Sequence, residues 1–115
     1  MAGKFVIGKA TDGTFYFHLK AENGKIILAS ETYIAKRGAE QGIDSIKVNS
    51  PMDERFERRN DTSGRPYFVL KTANEEVIGT SQLYSSSTEM EQGILSVKRI
   101  GPFATVEDLT KLKAA

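Results

Sequence analysis

Residues 1–51 and residues 52–102 are two copies of one unit, and they align without a gap. Tyr16-Phe17 meets Tyr67-Phe68, Leu19-Lys20 meets Leu70-Lys71, Tyr33 meets Tyr84, Glu40-Gln41-Gly42-Ile43 meets Glu91-Gln92-Gly93-Ile94, and Pro51 meets Pro102, each pair 51 positions apart. About a third of the aligned positions are identical. A period near 50 marks a copied supersecondary unit, because a unit of that length has too little core to bury its apolar face alone and uses its neighbour instead. The duplication therefore constrains architecture strongly and chemistry weakly.

Each copy reads as three strands followed by a helix. Lys4–Gly8 and Phe15–Lys20 are short aromatic and β-branched runs separated by Asp12-Gly13, a pair suited to a tight hairpin turn. In the second run Phe15, Phe17 and Leu19 share one face and Tyr16, His18 and Lys20 the other, the period-two pattern of a half-buried strand whose first set meets the core. Asn23-Gly24 supplies the turn into a third strand, Lys25–Ser30, since both residues tolerate positive φ. The second copy repeats the pattern at Arg55–Arg59, Tyr67–Lys71 and Glu76–Ser81, with Phe68 and Leu70 as core positions and Asn74-Glu75 in place of Asn-Gly.

From Ile34 the period becomes helical. Ala35, Ala39, Ile43 and Ile46 form one stripe, matched by Ser86, Met90, Ile94 and Val97. Ser86 to Glu89 has the spacing of a capping box, whereas capping in the first copy falls to Thr32. Pro51 and Pro102 end the two helices. A mid-helix glycine costs ~1 kcal/mol relative to alanine, so the matched Gly42 and Gly93 imply a compensating contact: first a close approach that leaves no room for a Cβ, and secondarily ligand access to the helix backbone.

The chemistry is sparse. With 39% hydrophobic and 27% charged residues, the 115-residue chain is composed as an ordinary globular domain. It has no long apolar segment or secretion-type leader, which predicts a cytoplasmic protein without membrane attachment. Absence of cysteine removes disulfides, thiolate nucleophiles and sulfur-ligated metals. His18, the sole histidine, reads as a solvated surface residue with no partner ligand or nucleophile. No paired carboxylates and no phosphate-cradling glycine spacing stand out, so no catalytic residue, metal or cofactor is assigned. A formal charge of +1 gives no general field for nucleic acid.

What remains is a surface present twice. Tyr16 with Lys20, and Tyr67 with Lys71, project from the outer side of the central strands, so an aromatic face and a cationic tip lie together in each half. Such a sheet face suits a protein or peptide, and secondarily single-stranded nucleic acid; near-neutral charge favours the first. Tyr33 and Tyr84, just before the helices, complete the candidate binding set.

The segments Tyr16–Lys20, Asn23–Ile27, Ser30–Tyr33, Gly42–Lys47 and Asn49–Pro51, together with their copies, resemble the YegP-like family of small bacterial proteins with duplicated domains. The resemblance spans residues 1–102. It implies an α+β fold of tandem βββα(β) repeats on one mostly antiparallel sheet. Two helices pack on one face about a pseudo-twofold axis, and the terminal strands are exchanged, with residues 103–115 as a C-terminal strand and tail. It implies no activity. The resulting expectation is a monomeric internal pseudo-dimer that acts by non-catalytic interaction through the open sheet face or the groove between the repeats, ahead of small-molecule binding or enzymatic action.

Overall fold

The strands of the computed structural model, which describes residues 3–111, are β1 (Lys4–Lys9), β2 (Phe15–Lys20), β3 (Ile26–Ala29), β4 (Phe56–Asn60), β5 (Pro66–Lys71), β6 (Val77–Thr80) and β7 (Thr105–Asp108). Helix α1 (Lys36–Asn49) follows β3 and α2 (Ser87–Ile100) follows β6. The seven strands form one sheet in the order β4-β5-β6-β3-β2-β1-β7, antiparallel throughout except for the parallel β1–β7 pair. The first six strands are arranged symmetrically about the β3–β6 joint. That joint is the pair Ala29–Thr80, two residues 51 positions apart, so the pseudo-twofold axis passes between them.

Local detail is duplicated with the topology. Both central strands shift register at the same point, between Leu19 and Lys20 and between Leu70 and Lys71. Ser30 Oγ accepts from the Phe17 amide at 2.9 Å and donates to the Glu31 carbonyl at 2.7 Å; Ser81 does the same for Phe68 (3.0 Å) and Gln82 (2.8 Å). Glu75 adopts φ of 68°, the left-handed conformation that Gly24 takes at the matched turn with φ of 86°. The Asn-Glu turn thus keeps the shape of Asn-Gly despite the Cβ penalty.

The helices start differently from the sequence expectation in the first copy. Tyr33 is held in strand-like geometry by two bonds to Phe15, Tyr33 N–H to O and Phe15 N–H to O, both 2.7 Å. Extended backbone therefore continues past Thr32, which cannot cap. Helix α1 begins at Lys36 behind Ala35, which makes no side-chain cap bond. In the second copy Ser86 caps α2 by accepting from the Glu89 amide at 3.1 Å, as the capping-box spacing predicts.

Both helices lie on one face of the sheet and seal a continuous core containing Phe5, Ile7, Phe17, Leu19, Leu28, Ala39, Ile43 and Ile46 from one half and Phe56, Phe68, Leu70, Ile78, Met90, Ile94 and Val97 from the other. Each helix contacts strands of both halves: α1 reaches β5 and β6, and α2 reaches β3. The strand that follows each helix leaves that helix's half, so the terminal strands are exchanged, but unequally. After α1 the chain turns through Asp53–Arg55 into β4 beside β5; after α2 it returns to the far edge as β7 beside β1.

Candidate binding face

Period-two alternation directs one set of side chains away from the helices. Across the sheet the register places Glu57, Val69, Thr80, Ala29, His18, Val6 and Glu107 in one transverse row on this open face. Tyr16 and Lys20 flank His18 along β2, and Tyr67 and Lys71 flank Val69 along β5. The centre is apolar and low. Val6 and Val69 are buried although no helix covers them, and Ala29 and Thr80 supply small side chains at the axis.

The aromatic residues here are held in place. Tyr16 lies over Gly8 of β1, where a Cβ would come within 2.5 Å of its Cζ, and its ring centroid is 5.1 Å from that of His18. His18 is half-buried rather than solvated; burial lowers its pKa, with a smaller push from Lys20. Among the described residues, Tyr33 and Tyr84 do not join this face. They stack on the helix side against Phe17 and Phe68, with 6.3 Å between centroids in both pairs. Burial raises the pKa of both phenols, as expected for rings serving the core rather than an exposed platform.

The positive charges are largely answered. Glu57 on β4 contacts Lys71 Nζ at 2.7 Å and accepts from Arg59 Nε at 2.9 Å, and these cations, Arg59 first, hold its carboxyl down to about 2. At the opposite edge Glu107 pairs with Lys4 at 2.7 Å, which lowers its pKa. Lys20 makes no ion pair among the described residues, so the twofold repeat of Tyr and Lys in sequence is not a twofold repeat of charge. Sequence reasoning missed Glu57 and Glu107. Their signal was the alternation Glu57, Arg59 in β4, but assigning its consequence requires the neighbouring strand.

Phe17, Phe68, Leu19, Leu70, Ile43 and Ile94 are buried under the helices, and Gly42 and Gly93 face the tyrosines that precede their own helices. A Cβ at Gly42 would lie 2.6 Å from the Tyr33 hydroxyl and 2.8 Å from Phe17 Cε2; at Gly93 it would meet the Tyr84 ring. A separate open cleft of about 1010 Å³ lies between repeats, where the β2–β3 turn faces the end of α2 and the exposed Phe103. Among the described residues no cluster of three His, Asp or Glu side chains is placed to hold a metal, and no helix is long and apolar enough to cross a membrane.

The model of a domain of unknown function, DUF1508, matches this chain twice, at residues 10–57 and 61–108. Each match runs from a central strand through a helix to the strand beyond it. The chain is 48% identical over 110 residues to the UPF0339 protein YegP of Escherichia coli strain K12, covering 96% of this chain and all of that protein. It is 53% identical over 110 residues to a UPF0339 protein of Acinetobacter baylyi, covering 96% and 99%. The solution NMR structure of Escherichia coli yegP, titled a protein of unknown function, is similar with a TM-score of 0.91 at 47% identity, over 98% of this chain and 97% of that one. That of a Shewanella oneidensis UPF0339 protein gives 0.89 at 44%, over 95% and 92%. With two tandem domain matches, close full-length relatives and the same fold, the chain belongs to the YegP-like UPF0339 family.

Proposed function

We propose that the protein is a non-catalytic interaction module that binds a protein or peptide through the open sheet face. The observation that carries this reading is the pairing of most of the face's cations: Lys71 and Arg59 share Glu57 and Lys4 contacts Glu107, which leaves Lys20 as the cation without an ion pair among these. A single-stranded nucleic acid is held by uncompensated Lys and Arg along its backbone, and ionised carboxylates at both edges oppose it. Between those edges the partly exposed rings of Tyr16 and Tyr67 offer aromatic area around a shallow centre floored by the buried Val6 and Val69, which suits a protein contact better than a phosphate track.

The test compares the full chain with Tyr16→Ala/Tyr67→Ala, after circular dichroism has established that the variant is folded. Partners captured by the wild type are purified and titrated against both. Binding that survives about 0.3 M salt, where charges are screened beyond several ångströms, and weakens by at least about tenfold in the variant supports the proposal. Tight binding of oligonucleotides that collapses with salt overturns it in favour of nucleic acid. Partners bound equally by the variant remove this face.

A further inference from the structure

Apart from the local bonds that Thr110 makes to Asp108 Oδ1, the side-chain bonds described for strand β7 all come from the other repeat. Lys4 Nζ contacts Glu107 at 2.7 Å, and Lys36 Nζ donates to Asp108 Oδ2 at 2.8 Å and to Thr110 Oγ1 at 3.2 Å. Lys47 Nζ donates to the Ala104 carbonyl at 2.8 Å, just before the strand, and the Leu109 amide donates to the Ile7 carbonyl at 2.9 Å, just after it. The β1 edge is apolar, with Phe5, Val6 and Ile7 all buried; Lys4 and Lys36 meet the carboxylates of the acidic strand that covers it, and Lys47 holds the backbone just before that strand.

The matched edge in the second repeat is built to refuse such a strand. Arg58 stands where β1 has Ile7, and Ser87 where α1 has Lys36. Arg58 donates to Glu91 from Nε at 2.8 Å and Nη2 at 3.0 Å, and also to Asp53 at 3.2 Å, while Lys98, the match of Lys47, is turned onto Asp53 at 2.7 Å. Inward-pointing charge on an edge strand is a known protection against strand addition. One edge therefore carries a complete receptor for a parallel acidic strand, and the other has had it dismantled.

We propose that this receptor, formed by the β1 edge with Lys4, Lys36 and Lys47, also accepts β7 of a second copy, giving a dimer by exchange of the C-terminal strand. The bonds that hold β7 all end in residues 4–47, so they are the same whether β7 comes from its own chain or from another. Its tether to α2 is Gly101–Ala104, held in a turn by the Phe103 and Ala104 amides on the Ile100 carbonyl at 3.1 and 3.0 Å. Straightening it sacrifices those two bonds and little burial at Phe103, which is already 83% exposed, while the buried Ala104, held by Lys47, stays with β7 on the receptor. A short tether presents its own strand at an effective concentration of about millimolar, so the intramolecular form prevails in dilute solution and exchange sets in as the protein approaches that range.

Charge reversal across copies tests this in full-length protein. Lys36→Glu alone and Asp108→Lys alone each place like charges at 36 and 108, whereas a strand-exchanged dimer of one copy of each restores two opposite pairs. Native mass spectrometry of the mixture should show a heterodimer at least about tenfold tighter than either homodimer. Wild-type ¹⁵N- and ¹⁴N-labelled protein mixed at about 1 mM should yield mixed-label dimers after mild warming. The single-chain variant Lys36→Glu/Asp108→Lys should behave as wild type. Variants that stay separate while that control keeps β7 on β1 overturn the proposal. If the control loses β7, absence of mixed-label wild-type dimers overturns it independently.

Discussion

Gly42 sits mid-helix with the Tyr33 hydroxyl and the Phe17 ring where its side chain would be, and Gly93 has the Tyr84 ring in the same place. The two sites differ in what could yield. Phe17 is fully buried and cannot retreat, whereas Tyr84 is half-exposed and Phe68 stands back at 3.3 Å. Gly42→Ala should therefore destabilise by about 1–3 kcal/mol through overpacking, despite the ~1 kcal/mol that helix propensity returns. Gly93→Ala should lose less, and Tyr84→Phe should recover part of that loss. Urea denaturation of the four proteins decides it; stabilisation by Gly42→Ala would show that Tyr33 swings aside. The glycines were legible in the sequence as matched oddities, but their partners were not. Tyr33 precedes Gly42 by nine positions across a strand end and a helix start, so no single periodicity links them. An aromatic before a helix reads as a surface platform until its stacking on Phe17 is seen.

At the level of elements, β1 and β4 descend from one pattern yet read KFVIGK and FERRN, and the difference matches their surroundings: among the described residues the apolar edge is covered by a strand and the charged edge is not. Six strands and both helices were readable from alternation, turn residues and the helical stripe. Strand β7 was not readable from the residues, because Thr105-Val-Glu-Asp108 is short, mostly exposed and lacks an apolar face. Its stability comes from partners such as Lys36, 72 positions away. That dependence has a pH signature. Lys36, and then Thr110, hold the Asp108 carboxyl down from 3.8 to about 2, so the folded state prefers the ionised form and the anchor is complete above the unfolded value. As pH falls from 3.8 through about 2 the anchor is lost, and Glu107, lowered by Lys4, follows in the same direction. Hydrogen exchange by NMR should show the Leu109 amide losing protection in this window before amides of β2 and β5 do. Retention of that amide to the point of global unfolding would remove the carboxylates from the account of β7.

For the whole molecule, the backbone joint between halves is a single strand pair, Ala29–Thr80, while the apolar core crosses it without interruption. Helices α1 and α2 each rest on strands of both repeats, so neither half can open without exposing the other's core. Ile46→Ala in the first half and Val97→Ala in the second should each lower one shared denaturation midpoint, the isoleucine change by about 2–5 kcal/mol. Side-chain NMR probes in the two halves should melt together; separate transitions would mean that the joint, not the core, governs cooperativity. The parallel pairing of β1 with β7 has a mechanical consequence as well. The chain enters β1 at Lys4 and leaves β7 after Asp108, at opposite ends of two strands that run the same way. Opposed tension on those two points acts along the strands and loads the whole β1–β7 ladder in shear, together with the Lys4–Glu107 and Lys36–Asp108 links, rather than unzipping it bond by bond. A strand weak enough to exchange in solution is thus the element placed to resist stretching when tension is applied at Lys4 and Asp108.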